Sequence, residues 1–364
     1  MHTKGYLVLE NGQIFSGNIF GAHKKTFGEL IFNTSMTGYQ EITYDPSYKG
    51  QIVVMTYPLI GNYGTNKEDV ESYKIHLEGF VVKELSKNPS NWQADISLEE
   101  LFKKNNVTGI ENIDTRKLTL ILREQGALKA GIFPADENNF KNMIQETINS
   151  PSIVGKDIVK KVIKKEPYWW SKTGKYKVLV IDCGVKYNIL QLLAKQNFAV
   201  RVIPADYPYQ EIIKEKPDGI LISNGPGDPQ PLDYLVQTLS NLIERYPVFG
   251  ICLGQQILGM VFGGKIYKLK FGHHGANHPT KTLKTGKIDI TVQNHGFCVD
   301  INSLKDPNCE ITHINLNDGT MEGFRHKKYP AFSVQFHPEA SPGPHDANYI
   351  FNEFWTMICQ KEKT

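Results

Sequence analysis

The sequence predicts two α/β domains, the second built on an open, mainly parallel sheet with helices on both faces. Its 364 residues suffice for two domains of about 150 residues each. The spacing of apolar segments also changes near residue 150, and only the later part repeats strand, helix and strand at regular intervals. We therefore expect an N-terminal domain at 1–150, a linker at 151–176 and a second domain at 177–364.

The composition is that of an ordinary folded protein. Forty-one Lys and Arg against thirty-eight Asp and Glu leave a net charge of +3, so charge indicates no nucleic-acid partner. Five cysteines without a CxxC pair favour a reducing compartment over a disulfide framework or a cysteine zinc site. No apolar run approaches the ~20 residues that cross a bilayer, and the N-terminus lacks a signal-peptide pattern. We expect a cytoplasmic protein that binds no membrane.

The first domain is predicted to be mixed α/β, because short apolar runs alternate with Gly, Asn and Pro. In its second helix, Leu118, Ile121 and Leu122 are spaced i, i+3, i+4, and Gly126 stands at the C-cap. Strands are predicted at 6–10, 51–57 and 78–82, and helices at 97–105 and 115–126.

The linker carries a basic stretch, residues 156–177, with eight lysines, two acidic residues and the aromatic run Tyr168-Trp169-Trp170. Basic residues interleaved with aromatics also occur in nucleic-acid-binding segments. The near-zero net charge of the chain favours a solvated connector whose tryptophans pack against one domain.

The second domain is where chemistry is expected, since ligands of open parallel sheets bind outside the carboxyl ends of the strands. Continuous apolar runs predict buried strands, and the segments between them have helical periodicity. Strands are predicted at 177–182, 199–205, 218–225 and 247–251, and helices at 188–196, 232–245 and 256–264.

Cys252 is the candidate nucleophile. The segment Gly250-Ile251-Cys252-Leu253-Gly254 links a strand to a helix, as the G-x-S-x-G nucleophile elbow does, with Cys in place of Ser. Both glycines indicate a turn too tight for a Cβ, and the helix N-terminus favours a thiolate. The alternative is a buried core cysteine. The remaining cysteines lack such a setting and are interpreted as structural: Cys183, Cys298, Cys309 and Cys359.

His337 is the candidate base and Glu339 its orienting group. The alternating run 331–341 delivers His337 to a Pro-containing bend, and residues i and i+2 of an extended chain point the same way. A surface His-Pro turn explains the spacing equally well. His295 and His345 are alternative candidates for the base.

The loop 224–229, NGPGDP, follows another predicted strand and can direct backbone N–H groups at a ligand. This loop and the Leu253 N–H would together form an oxyanion hole. A plain turn explains the NGPGDP sequence equally well. The segment 259–265 matches G-x-x-x-x-G-K but lacks the Ser or Thr and ends a helix, so it predicts no nucleotide site. His273, His274 and His278 lack a metal-binding spacing, so no metal is predicted.

These motifs resemble the class I glutamine amidotransferases, which carry ICLGQQ around Cys252, NGPGDP at 224–229 and HPE at 337–339. The stretches FNTSMTGYQE at 32–41, DTRKL at 114–118 and QNHGFCVD at 293–300 are similar to the small, glutamine-hydrolysing chains of carbamoyl-phosphate synthetases. The resemblance spans nearly the whole chain and implies an amidotransferase-like second domain behind a first domain that docks on a partner.

The resemblance also implies a role for each matching residue. Cys252 would attack the side-chain amide of glutamine and hold a glutamyl thioester. His337 would shuttle the proton, and Glu339 would orient the His337 imidazole. Backbone N–H groups of Gly227 and Leu253 would bind the oxyanion. Further positions match residues that hold the substrate: Ser47, Gly225, Gln256, Asn294, Gly296 and Phe297.

Ammonia would pass through a tunnel to a large synthetase chain, which uses ATP, magnesium and bicarbonate to make carbamoyl phosphate for pyrimidine and arginine biosynthesis. The resemblance implies no cofactor in this chain. Cys183 and Ala276 depart from the family pattern, but the three catalytic positions do not, which predicts an active enzyme. The alternatives are an amidotransferase subunit of another synthase and a non-catalytic docking module.

Overall fold

The computed structural model describes residues 3–135 and 139–361, which form two compact units. Unit 1 comprises Met1–Val154 and Lys270–Gly275, and unit 2 comprises Gly155–Leu269 and Ala276–Thr364. No helix in the described part of the chain is both long and apolar enough to cross a membrane.

In the described part of unit 1, seven strands close into a barrel in the order β1-β2-β8-β6-β4-β3-β9, and β5 pairs with β7 in a separate small sheet. The strands are β1 (Thr3–Leu9), β2 (Ile14–Gly21), β3 (Thr26–Asn33), β4 (Gln51–Met55), β5 (Leu59–Ile60), β6 (Gly79–Val81), β7 (Glu84–Leu85), β8 (Thr108–Glu111) and β9 (Leu128–Pro134). The helices are α1 (Tyr39–Tyr44), α2 (Leu98–Lys104), α3 (Thr115–Gln125) and α4 (Phe140–Asn149), with a 3₁₀ turn at Pro46–Tyr48.

Alternation along the strands of unit 1 directs neighbouring side chains into different apolar clusters. In β4, Ile52 and Val54 belong to one apolar cluster, whereas Val53 and Met55 belong to another. Helix α3 adds Leu118 and other apolar residues to the first cluster and ends at Gly126, whose φ is +95°. The predicted strands and helices of this domain are therefore present. Barrel closure was not predicted, because it depends on pairing between strands distant in sequence, such as β1 with β9.

The described residues of unit 2, together with Lys270–Gly275 of β15, form a mixed sheet of ten strands in the order β10-β12-β11-β13-β14-β19-β18-β17-β15-β16. The strands are β10 (Tyr168–Ser171), β11 (Tyr176–Asp182), β12 (Phe198–Pro204), β13 (Gly219–Ile222), β14 (Val248–Ile251), β15 (Ile266–Thr282), β16 (Ile288–Val299), β17 (Cys309–Asn315), β18 (Met321–His326) and β19 (Ala331–Val334). The helices are α5 (Tyr187–Lys195), α6 (Tyr209–Glu215), α7 (Asp233–Leu242), α8 (Leu253–Val261) and α9 (Ile350–Lys361), with 3₁₀ turns at Val159–Lys161 and Ile301–Ser303.

The central strands of this sheet are parallel and covered on both faces, as predicted. Strands β12, β11, β13, β14 and β19 pair in parallel. Leu179 and Ile181 of β11 pack in a core that includes α7 and α8, while Val178 and Val180 pack in one that includes α5 and α9.

The prediction of a mainly parallel sheet does not extend beyond those central strands. Strands β18, β17 and β15 add an antiparallel extension, and such strands need only one apolar face. Because three Lys and three His lie within the 17 residues of β15, this segment lacks the continuous apolar run by which buried strands are recognised.

The segment predicted as a linker contributes β10, which pairs antiparallel with β12 at the sheet edge. The tryptophans of β10 pack within unit 2: the Trp169 ring lies 5.3 Å from the Arg201 guanidinium, and Trp170 lies 5.0 Å from Tyr187. The aromatic residues of the basic segment therefore have a packing role.

Candidate active site

Cys252 occupies the sharp turn between β14 and α8. Its φ of +54° and ψ of −102° are unusual for a residue with a side chain and cost of order 1–3 kcal/mol. Surrounding hydrogen bonds hold this conformation: the Cys252 N–H donates to Val334 O at 2.8 Å, and its carbonyl accepts from Gln255 N at 3.0 Å. The side chain is almost fully buried.

The two glycines that flank Cys252 are required by close packing. A Cβ on Gly250 would lie 2.6 Å from the Gly254 carbonyl oxygen, and one on Gly254 would lie 2.3 Å from Ile222 O. Real Cβ atoms essentially never approach so closely. The structure therefore confirms the sequence argument that this turn leaves no room for a side chain.

The Cys252 thiol has two polar neighbours besides a histidine. Its Sγ lies 3.6 Å from the Asn294 carbonyl oxygen and accepts from Gln335 Nε2, also at 3.6 Å. The helix α8 begins at Leu253, whose N–H has no carbonyl partner inside the helix. The thiol thus lies one residue before a backbone N–H at a helix N-terminus, the kind of donor that stabilises an oxyanion in acyl transfer.

His337 and Glu339 form a buried pair, with His337 Nδ1 2.6 Å from Glu339 Oε1. Burial alone lowers the pKa of His337, but the negative charge of Glu339 and the Cys252 thiol outweigh it, so the pKa is raised. Among the described residues, His337 Nε2 has no well-aligned hydrogen-bond partner, although the thiol is close enough to affect the histidine pKa. This nitrogen can therefore exchange a proton with Cys252.

The geometry that joins the pair differs from the prediction. His337 lies beyond β19, where its backbone N–H donates to Val292 O. The backbone N–H of Ala340 donates to the His337 carbonyl oxygen at 3.2 Å. The chain therefore turns between 337 and 340. The turn, not the two-residue alternation of an extended strand, brings Glu339 to the imidazole.

Lys186 is a site residue that the sequence analysis missed. It is fully buried, and its Nζ lies 3.0 Å from Glu339 Oε1 and donates to Ala340 O. Burial alone raises the pKa of Glu339, but Lys186 and then His337 outweigh it and lower that pKa to about 2. Asn188 donates to the Glu339 carbonyl. A lysine directly after an apolar strand, at the carboxyl edge of the sheet, was the available signal.

The loop after β13 is shaped by Gly225 and Gly227. A Cβ on Gly225 would lie 2.2 Å from Cys183 O and 2.7 Å from Leu253 Cδ2, so this glycine packs against the start of α8. Gly227 has a φ of +85°, and its Cβ would meet Ile158 at 2.6 Å. Asp228 accepts from the Gly155 N–H at 2.9 Å. These contacts fix the conformation of the loop beside the nucleophile turn.

The other predicted substrate residues lie in two places. Gln256 on α8 donates to Phe297 O at 2.8 Å, so the helix and β16 are joined within unit 2. Asn294 and Phe297 are buried in β16, and a Cβ on Gly296 would have no neighbour within 4 Å, which indicates open space. Ser47 lies in unit 1, in the 3₁₀ turn Pro46–Tyr48, and its role stays a prediction.

The alternative bases have other surroundings. His345 is exposed, and His295 has both ring nitrogens engaged, by Phe297 O at 2.9 Å and by Gln293 Oε1 at 3.0 Å. Burial raises the pKa values of the Cys183 and Cys298 thiols well above the ordinary value, which keeps both neutral.

Asp306, Cys309 and His326 form a cluster of metal-ligand residue types, whose ligand atoms all lie within 4.8 Å of one another. However, His326 Nδ1 accepts from the Tyr329 N–H at 2.9 Å, so the ring proton is on Nε2, which faces Asp306 Oδ2 at 3.2 Å. In this arrangement both ring nitrogens of His326 are engaged in hydrogen bonds, and neither presents a free lone pair to a metal. Burial and then Asp306 also raise the pKa of Cys309 to about 11.

Two family models match the chain. One, described as "Glutamine amidotransferase class-I", matches residues 179–357, and the other, "Carbamoyl-phosphate synthase small chain, CPSase domain", matches residues 7–132. A protein from Syntrophotalea carbinolica named carbamoyl phosphate synthase small chain is 49% identical over 369 residues, covering 98% of each chain. The chain belongs to the carbamoyl phosphate synthase small chains.

Other small chains are similarly close. The protein of that name from Aquifex aeolicus is 50% identical over 371 residues, covering 98% of this chain and 99% of its own. The Archaeoglobus fulgidus protein is 47% identical over 355 residues, again covering 98% and 99%. The resemblance to the class I glutamine amidotransferases and to the small chains is thereby confirmed, and residues 179–357 are a class I glutamine amidotransferase domain.

We expect Gly254→Ala to destabilise this small chain, because the new Cβ would lie against Ile222 O. Overpacking of this kind costs about 1–3 kcal/mol in the free energy of unfolding. Chemical denaturation with circular dichroism measures the change. Ser240→Ala, at an exposed position of α7, is the control and should cost little. Equal stability of the two variants would show that the turn tolerates a Cβ.

We expect Lys186→Met to lower the free energy of unfolding by about 3 kcal/mol at pH 7, because it leaves the buried Glu339 carboxylate without its lysine. The stability that comes from a carboxylate of depressed pKa is present above its ordinary pKa of 4.5 and is lost as pH falls toward the folded value of about 2. The difference from wild type should therefore shrink over that range.

Urea denaturation between pH 7 and pH 3 measures this dependence. Lys214→Met is the matched control, because Lys214 makes an exposed ion pair with Glu211 and should change stability little. A Lys186→Met difference that stays constant with pH would contradict the assignment of Lys186 as the partner of a charged Glu339.

Proposed function

We propose that this chain is the glutaminase subunit of a carbamoyl-phosphate synthetase, with Cys252, His337 and Glu339 as its catalytic triad. The observation that supports it most is a buried thiol on a strained strand-to-helix turn, coupled to a buried histidine–carboxylate pair. A merely structural cysteine requires neither the strained backbone nor the coupled pair.

The first half of the reaction would form a thioester. His337 Nε2 takes the thiol proton, and Cys252 Sγ attacks the side-chain amide carbon of glutamine. The negative charge on the amide oxygen is stabilised by the backbone N–H groups of Leu253 and Gly227. The imidazolium then protonates the leaving nitrogen, the C–N bond breaks, and ammonia leaves behind a glutamyl thioester.

The second half would hydrolyse that thioester. His337 takes a proton from water, and the hydroxide attacks the thioester carbon. The C–S bond then breaks to release glutamate, and the imidazolium returns its proton to Cys252 Sγ. Glu339 keeps Nδ1 of His337 protonated throughout, so Nε2 is the nitrogen that exchanges protons. Lys186 stabilises the charged form of the Glu339 carboxylate.

Gln256, Asn294, Gly296 and Phe297 would hold the glutamine. The open space beside Gly296 and the carbonyl oxygens of β16 suit an α-amino acid, which carries both donors and acceptors. Gly225 would let the loop after β13 pack closely against Leu253, which would place the loop beside the substrate. We include Ser47 of unit 1 in this set on the family resemblance.

Ammonia would pass to the large synthetase chain, which would use ATP and magnesium to form carbamoyl phosphate. Ammonia that escaped into neutral water would be protonated and would lose its nucleophilicity, so a water-excluded path is chemically favoured. The N-terminal domain would dock on that chain, and we place the heterodimer in the cytoplasm, in pyrimidine and arginine biosynthesis.

We expect Cys252→Ser to abolish glutamine-dependent synthesis of carbamoyl phosphate in the complex with the large chain, while synthesis from added ammonia continues. The hydroxyl is a far weaker nucleophile than the thiolate at neutral pH. A carbamoyl-phosphate assay with glutamine or ammonium chloride distinguishes the two activities. Cys359→Ser, on α9, should keep both. Unchanged glutamine-dependent synthesis in Cys252→Ser would contradict the triad.

We expect Glu339→Gln to slow turnover without preventing alkylation of Cys252 by a glutamine-shaped diazoketone, since Glu339 orients the base and does not attack. The substitution also leaves Lys186 as a buried charge without its carboxylate. The double variant Glu339→Gln/Lys186→Met should therefore be more stable than the single variant and equally slow. Loss of all alkylation in a folded double variant would mean that Glu339 has another role.

A further inference from the structure

A second buried carboxylate, Glu322, lies on β18 outside the triad. It has no exposed surface, and both of its oxygens accept from side-chain amides. Oε1 accepts from Asn315 Nδ2 and Oε2 from Gln293 Nε2, each at 2.8 Å. A carboxylate that accepts on both oxygens has no proton to offer, so it determines which way each amide points.

Gln293 must therefore turn its NH₂ group to Glu322 and its carbonyl oxygen away from it. The same NH₂ group also donates to Thr291 Oγ1 at 3.3 Å, which favours the same orientation. The carbonyl oxygen Oε1 then lies 3.0 Å from His295 Nε2. The other ring nitrogen, Nδ1, lies 2.9 Å from Phe297 O.

His295 thus has an oxygen acceptor at each ring nitrogen. The Cys298 Sγ also lies near Nδ1, but at 3.6 Å it is farther away than Phe297 O at 2.9 Å, and a carbonyl oxygen can only accept. A neutral imidazole can donate from one nitrogen only, so both contacts are hydrogen bonds only if the ring carries two protons. The imidazolium that results is buried, and Glu322 supplies a negative charge one side chain away.

The chain of contacts continues to the nucleophile helix. Phe297 O, which accepts from His295, also accepts from Gln256 Nε2 at 2.8 Å, and Gln256 lies one turn after Cys252 on α8. His295 therefore helps to hold the carbonyl that joins β16 to α8. These are the two elements on which the proposed glutamine contacts lie.

We propose that Glu322 is a positioning residue for glutamine binding, which acts through Gln293 to keep His295 doubly protonated and so fixes β16 against α8. The inference rests on the proposed function, because its consequence is measured on glutamine. The Glu322 carboxylate accepts from Asn315 and Gln293 and has no part in the proposed chemical steps, so its replacement should affect binding and not the chemical step.

The test is Glu322→Gln, measured as glutaminase activity in the complex with the large chain. The amide introduced by this substitution can donate as well as accept, so Gln293 is free to reverse and His295 loses the need for a second proton. We expect KM for glutamine to rise about tenfold, as the loss of a charge-assisted hydrogen bond implies, with kcat nearly unchanged. Glu310→Gln, which removes an exposed carboxylate from β17, should leave both constants unchanged.

Exchanging the carboxylate and the amide between positions 322 and 293 distinguishes a positioning role of Glu322 from a general loss of stability. In the double variant Glu322→Gln/Gln293→Glu, the carboxylate moves to position 293, where it accepts directly from His295 Nε2, while the new amide on β18 still accepts from Asn315. We expect KM to return toward the wild-type value. A double variant that folds but keeps the raised KM would overturn the proposal, even if Glu322→Gln itself fails to fold.

The protonation of His295 is read independently from ¹⁵N-histidine spectra of the full-length chain, with His295→Asn to assign the signal. We expect two protonated ring nitrogens in wild type and in the double variant, and one in Glu322→Gln. One protonated nitrogen in wild type would overturn the proposal. Failure of the proposed function is distinct: wild type would then hydrolyse no glutamine, while the spectra would still report the state of His295.

Discussion

The buried charge of Glu339 is the constraint on which the candidate site depends. A carboxylate with no access to water is tolerated in a protein only if it is paired, and both Lys186 and His337 pair with Oε1. The pairing joins the segment after β11 to the segment after β19, about 150 residues apart in the chain. It also decides which nitrogen of His337 faces the thiol. Orientation of the base and local stability thus come from one cluster.

The parallel sheet explains why these residues meet. Strands β11, β13, β14 and β19 are neighbours in that order, and within a few residues each is followed by a part of the site. Lys186 follows β11, the glycine loop follows β13, Cys252 follows β14 and His337 follows β19. Because parallel strands end at the same edge, residues from four distant segments converge there. The strained Cys252 backbone persists because the sheet around it is packed with apolar side chains on both faces.

Local signals made much of this arrangement predictable. Continuous apolar runs marked the central strands, and Gly250 and Gly254 marked the nucleophile turn, where the structure leaves no space for a Cβ. The nonlocal features were not predictable in the same way. Barrel closure in unit 1 depends on pairing between strands distant in sequence, such as β1 with β9. The antiparallel extension and the edge strand β10 involve segments that are polar or short. Lys186 was missed because a lysine is ordinarily exposed, and only its distant carboxylate partner makes its burial possible.

The central claim is that Cys252 is a nucleophile in a glutamine-shaped pocket. The most direct measurement is peptide mapping by mass spectrometry after the full-length chain, in complex with its large partner, is treated with a glutamine-shaped diazoketone. The account predicts one adduct per chain, on Cys252, and protection by excess glutamine. Adducts scattered over other cysteines, or an adduct on Cys252 that glutamine does not prevent, would contradict it.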